Sequence, residues 1–136
     1  IHLVRDVRGV AASYLRYNQG MDARQAARRW MRVHRRLETC MRMLPAEKRM
    51  LVRYEDLCRD VKGTLDQVYR FCGVDPEAHA FSPSAPQHIV GNKMRLKGVK
   101  SVRLDERWKT ELSRDQMDEI TQVAGPLGRQ YGYGMS

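Results

Sequence analysis

The sequence predicts an α/β layer fold, and three observations carry that prediction. Ile1-His2-Leu3-Val4 is a strand-compatible run that breaks into the charged corner Arg5-Asp6 and then into a helix-forming stretch. A buried parallel strand hands over to a helix in this way at the ligand-binding edge of a sheet. Met50-Leu51-Val52-Arg53-Tyr54 reads as a second short strand, followed by the acidic corner Glu55-Asp56. Helical segments separate and follow the two runs. The order strand, helix, helix, strand, helix favours helices layered on a parallel sheet over an all-helical bundle.

The elements follow in order. Asp6 is a candidate N-cap for a helix over about 7–19, closed by Gly20. A longer helix spans about 22–44, where Ala26, Trp30, Val33, Leu37, Met41 and Leu44 form one apolar stripe and Pro45 ends the segment. Arg28, Arg32, Arg35 and Arg36 lie largely on the other side. The next helix covers 60–72, capped by Asp60 and terminated by Gly73, with Val61, Leu65, Val68 and Cys72 inward. From about 74 to 104 the chain is loop-like, rich in proline and glycine, and a loop that long is commonly functional. Ser113-Arg114-Asp115-Gln116 is a capping-box pattern opening a last helix with Met117, Ile120, Ala124 and Leu127 on its apolar face. Gly125-Pro126 is expected to bend or break it.

At 136 residues the chain is one domain or part of one. Because it opens inside an apparent strand, we expect it to be the carboxyl-terminal portion of a single domain, residues 1–136, with an exposed sheet edge that lowers its solubility. The net charge of +9 favours anionic partners: phosphate, sulfate, nucleic acid or acidic glycans. Cys40, Cys58 and Cys72 are odd in number, lack C-x-x-C spacing and fit as small apolar residues on or near helices, so no metal site is expected. No apolar run approaches membrane-spanning length.

Arg5 and Ser13 carry the most chemical information. An arginine at a strand's carboxyl end and a hydroxyl on the following helix can converge on one phosphate, the arginine through forked donors and a permanent charge. The plainer alternative is a surface ion pair between Arg5 and Asp6 at a helix start, with Ser13 incidental. Six arginines between positions 24 and 36 raise a second function, nucleic-acid binding. Against it, no reader motif and no interleaved aromatics for base stacking accompany them. A third reading is another nucleotide-dependent phosphate-transfer enzyme on the same layered architecture.

Several landmarks occur in one order along the chain: Val4-Arg5-Asp6-Val7-Arg8 with Ser13, Val52-Arg53-Tyr54-Glu55-Asp56-Leu57, Phe71-Cys72-Gly73-Val74, His88-Ile89-Val90-Gly91-Asn92, Trp108, and Tyr131-Gly132-Tyr133. Together they resemble the carboxyl-terminal half of a sulfotransferase domain that uses phosphoadenosine phosphosulfate (PAPS). The resemblance implies a partial P-loop-NTPase-like parallel sheet flanked by helices, with the amino-terminal half of the domain missing. It implies transfer of a sulfuryl group to a hydroxyl acceptor, a carbohydrate or a peptide tyrosine, with adenosine 3′,5′-bisphosphate as product, no metal and no nucleic-acid partner.

By the same resemblance, Arg5 and Ser13 bind the 3′-phosphate and Tyr54 lies against the adenine. Val7 stands where the family usually has proline, which loosens the corner without removing a ligand. A late basic loop closes on the phosphate in many members. Arg95, Lys97 and the Gly98 backbone are the candidates here, with Arg107 as an alternative. The distance from that cluster to Trp108 fits the bacterial, Golgi carbohydrate or tyrosylprotein branches better than the cytosolic small-molecule enzymes.

The phosphosulfate loop and the base lie upstream of the first landmark in the resembled family, so the catalytic residues are expected before Ile1 and the isolated segment is expected to be inactive. Of the histidines, His2 is expected in strand packing and His34 on the flank of the basic helix. His88, and less so His79, are candidates for the acceptor side. With low cysteine use and no signal among these residues, a cytoplasmic, bacterial-type enzyme is the expectation, while an anchor or signal upstream of Ile1 stays open.

Overall fold

The computed structural model describes residues 1–17, 20–78 and 102–135. It is mixed α/β, mostly helical, with a small parallel sheet. The chain divides into two compact units, Ile1–Glu55 with Asp105–Ser136, and Asp56–Leu104.

In the first unit, β1 (His2–Val4) pairs in parallel with β2 (Leu51–Arg53) in the register His2↔Leu51, Leu3↔Val52, Val4↔Arg53. The alternation of a strand puts His2 and Val4 into the core and leaves Leu3 exposed. Helix α1 (Val7–Tyr17) starts where expected, since the Asp6 carboxylate accepts from the Arg8 N–H at 2.8 Å. Val7, the residue in the proline position of the resembled pattern, is fully buried.

Helix α2 (Ala23–Arg42) is opened by Asp22, whose side chain and that of Gln25 cap each other's backbone N–H groups. Its buried residues are Ala23, Ala26, Ala27, Trp30 and His34. The expected stripe therefore holds only in its first half. Val33, Leu37 and Leu44 stay 46%, 40% and 44% exposed. The reason is length. The helix is 20 residues long, and the small alanines that admit α1 and the last helix all lie in its first two turns.

That last helix, α6 (Arg114–Gln130), begins at Ser113 with the predicted capping box. It runs through Gly125-Pro126 without the break that was one of the two expected outcomes. An interior proline costs about 3 kcal/mol. Here that is offset by the burial of Ile120, Ala124 and Leu127 on either side. Glycine serves packing at Gly128, where a Cβ would stand 3.1 Å from the Met135 side chain. The helix ends in a Schellman turn. Gly132 takes φ +78°, its N–H reaches the Arg129 carbonyl, and the Tyr133 N–H reaches that of Gly128. Tyr131 and Tyr133 consequently both end buried.

Two short helices were not foreseen. Tyr54 does not end β2; it opens α3 (Tyr54–Arg59), and the acidic corner is that helix's first turn, where Glu55 favours the helix dipole. The other is α5 (Trp108–Glu111). In the second unit, α4 (Val61–Phe71) matches its expected span. Asp60 caps the Gly63 N–H at 2.9 Å, and a Schellman turn at Gly73, φ +72°, closes it. Its apolar face is less covered than expected. No residue of α4 is fully buried, and Cys72, like Cys40 on α2, is exposed rather than an apolar filler.

Among the described residues no helix is long and apolar enough to cross a membrane.

Candidate functional site

Arg5 leaves the end of β1 at a corner anchored from below, because the Trp30 indole N–H donates to the Arg5 carbonyl at 3.0 Å. Its guanidinium folds back across the first turn of α1. A Cβ placed on Gly9 would come 3.0 Å from the Arg5 Nε, so the absence of a side chain at position 9 makes this path available. Ser13 follows Gly9 by one helical turn on the same face of α1 and is half-buried. Its hydroxyl has no hydrogen-bond partner among the described residues.

The partner of Arg5 is neither solvent nor Asp6. Nη2 donates to the Asp105 backbone carbonyl at 3.1 Å and lies 3.2 Å from its carboxylate. Arg107 grips the same carboxylate with its Nε and Nη2, both at 2.9 Å. The Asp105 N–H donates to the Tyr54 hydroxyl at 3.3 Å, and the Arg5 guanidinium stacks 4.5 Å over the Tyr54 ring. Asp105 thus gathers three residues nominated from sequence. Its carboxyl is held far below the ordinary carboxylate range, first by the hydrogen bond from the Arg107 side chain.

Beneath this surface group lies a buried polar layer. Asp6 pairs with its neighbour Arg8 at 2.7 Å, and the Arg8 guanidinium lies 4.2 Å from the Trp108 ring centre. Glu55 is 9% exposed and accepts from the Asp6 N–H at 3.0 Å and from the Tyr133 hydroxyl at 2.7 Å. The Arg53 guanidinium stands 4.5 Å over the Tyr133 ring, against Gly132. Burial, then the bond to Glu55, pushes the Tyr133 hydroxyl well above its usual range. Both oxygens of a buried carboxylate are thereby satisfied, and the start of α1, the end of β2 and the C-terminal turn are tied together.

Arg5 and Tyr54 also line a cleft of about 270 Å³, together with Leu3, Val10, Tyr14, Trp30, Val33 and His34. His34 is not on the flank of α2 but turned inward. Its Nδ1 lies 2.7 Å from the Nε2 of His2, one nitrogen donating and the other accepting. The two rings stack at 5.0 Å, against the edge of Tyr131. Burial is the chief cause of the lowered pKa of both, and the His34 value falls to about 4.

Of the residues nominated from sequence, the structure brings together Arg5, Tyr54 and Arg107 and places Ser13 along the helix face beyond Gly9. Arg95, Lys97, Gly98, His79 and His88 lie outside the described residues. Sequence reasoning missed Asp105. The available signal was an aspartate two residues before an arginine, a spacing at which a side chain caps a following N–H, as it does at 3.2 Å here. Gly9 was missed as well, because a glycine in a helix carries no local sign that another side chain will cross it.

Residues 1–78 match the family model described as the sulfotransferase family. The match takes in β1, α1, α2 and β2, and with them Arg5, Ser13 and Tyr54, while Asp105 and Arg107 fall beyond it. No curated protein and no solved structure matches the chain. With more than half of its length under that model, the chain belongs to the sulfotransferase family.

Proposed function

We propose that the chain supplies the nucleotide-binding part of a sulfotransferase that takes its sulfuryl group from PAPS and passes it to a hydroxyl acceptor. The observation that carries this reading is the path of Arg5 across Gly9, in line with Ser13 and within reach of the carboxylate that Arg107 also holds. Two guanidinium groups and a hydroxyl with no hydrogen-bond partner among the described residues form a donor set for a dianionic phosphate, and a β-carbon at position 9 would crowd it. PAPS fits these residues. When bound, it supplies an activated sulfuryl group. Arg5 and Ser13 then hold the 3′-phosphate, Arg107 adds charge at the rim, and Tyr54 presents its ring in the cleft to the adenine. A P-loop-like sheet extending the β1–β2 pair belongs to the same proposal.

The test is calorimetric binding of adenosine 3′,5′-bisphosphate, AMP and duplex DNA to the full-length protein. The bisphosphate is expected to bind tightest. Arg5→Ala should weaken it by about 30-fold or more and Ser13→Ala by about 5-fold, in keeping with charge-assisted and neutral hydrogen bonds. Equal affinity for AMP, or indifference to both substitutions, rejects the reading.

A further inference from the structure

Eleven of the nineteen arginines of this protein form two contrasting sets. Arg5, Arg8, Arg16, Arg24, Arg59 and Arg107 each meet a carboxylate. Arg28, Arg29, Arg32, Arg35 and Arg36 are exposed on α2 and form no ion pair among the described residues. Arg28, Arg32 and Arg36 follow one another at four-residue intervals, so their stems form a ridge about 12 Å long. Like charges at that spacing destabilise a helix by about 0.2–0.5 kcal/mol per pair. The fold carries this repulsion with no carboxylate lining the grooves beside these residues.

Grooves flank the ridge on both sides. One, of about 470 Å³, is lined by Arg28, Met31, Arg32, Arg35, Arg36 and Thr39. The other, of about 500 Å³, shares Arg28, Arg32 and Arg36 and adds Arg29 and Val33. Val33 also lines the cleft that contains Arg5 and Tyr54. The cationic groove and the candidate nucleotide cleft therefore meet along one side chain.

We propose that this ridge binds the acceptor, and that the acceptor is an acidic polysaccharide carrying uronic-acid carboxylates. The proposal rests on the sulfotransferase reading of the Arg5 cleft. Such a chain is stiff and presents anionic groups at regular intervals, which suits forked guanidinium donors in a row. Its hydroxyls are the nucleophiles that sulfuryl transfer requires, and its ring C–H faces suit the apolar Met31 and Val33 beside the charges. A nucleic acid fits less well, since neither groove contains an aromatic ring on which a base could stack. An acidic peptide would have to be ordered on binding, at an entropic cost that a stiff glycan avoids.

The experiment compares the full-length protein with the variant R28A/R32A/R35A/R36A. The probes are a hyaluronan oligosaccharide, neutral dextran, single-stranded DNA and polyglutamate of matching length. Hyaluronan is expected to bind tightest and dextran not at all. The four substitutions should weaken hyaluronan binding by about 30-fold at low salt, and added salt should weaken wild-type binding steeply. Adenosine 3′,5′-bisphosphate serves as the separate arm and should bind both proteins equally. Its failure to bind either protein rejects the nucleotide reading, whereas only the glycan arm decides the ridge. The ridge proposal is overturned if DNA or polyglutamate binds as tightly as hyaluronan, or if the variant keeps its glycan affinity. All four residues are exposed, and an unchanged thermal melt will show that the variant folds.

Discussion

The Arg5 guanidinium is held 3.2 Å from the Asp105 carboxylate and 3.1 Å from the Asp105 backbone carbonyl, across a hundred residues of chain. The two contacts differ in kind. The first places a negative charge where the proposed ligand brings another; the second fixes the arginine and survives any change of side chain.

Replacing the carboxylate with an amide separates them. Asp105→Asn keeps the backbone carbonyl for Arg5 and the backbone N–H for Tyr54, and it removes the charge that competes for Arg5 and Arg107. Binding of adenosine 3′,5′-bisphosphate should tighten by about 3- to 10-fold, while stability changes by no more than about 1 kcal/mol, as befits a partly exposed pair. Titration calorimetry and urea denaturation measure the two. Weaker binding in this variant would show that the carboxylate orients Arg5 rather than competing with the ligand.

Gly9→Ala should split stability from binding in the opposite sense. Alanine favours a helix over glycine by about 0.5–1 kcal/mol. Its β-carbon, however, meets the Arg5 side chain at 3.0 Å, and that flexible chain must move away. A melting temperature that holds or rises, with bisphosphate affinity down by about 5-fold, is the expected pair of results.

Tyr133→Phe deletes a donor to the buried Glu55 and leaves one carboxylate oxygen without a partner. The cost should be about 1–3 kcal/mol. The comparison is Tyr131→Phe, whose hydroxyl donates at 2.8 Å to the partly exposed Glu38, with an expected cost below about 1 kcal/mol. Urea denaturation of both variants at pH 7 tests the ranking, and equal losses would argue against it.

The paired histidines set the acid response. His34 is lowered from 6.5 to about 4 in the folded chain, by burial and then by the neighbouring His2. Between those values the unfolded chain binds more protons than the folded one, so stability rises with pH across this window. The contribution is complete above 6.5 and is lost as the pH falls towards about 4. Glu38 and Tyr131 face the pair from α2 and from the end of α6, and the Glu38 charge opposes the lowering. A loss on the order of 2 kcal/mol between pH 7 and 4 is expected from this pair. Denaturation curves at several pH values should show it, and His34→Gln should flatten the dependence.

What could be read in advance follows from how far each signal reaches along the chain. Caps and terminators act within four residues, so Asp6, Asp60, Ser113 and Gly73 mark their helices correctly from sequence. A strand followed by a charged corner is equally local, and both strands emerged near their expected positions. The apolar stripe of α2 was legible only in part, because periodicity identifies a face but not how far a neighbouring helix covers it. Pro126 did not break its helix for the same reason: its local cost is legible in the sequence, but the packing of Ile120, Ala124 and Leu127 that offsets it is not.

The sequence by itself determined the parallel strand pair, the starts of the four longer helices, the basic surplus and the family, all of which rest on short-range patterns or on ordered landmarks. Only the tertiary structure decided that Arg5 meets Asp105 instead of Asp6, that Arg107 joins it, and that His34 turns inward to His2. Contacts between residues 32 and 100 positions apart leave no periodic trace, because the chain brings them together only when its core closes.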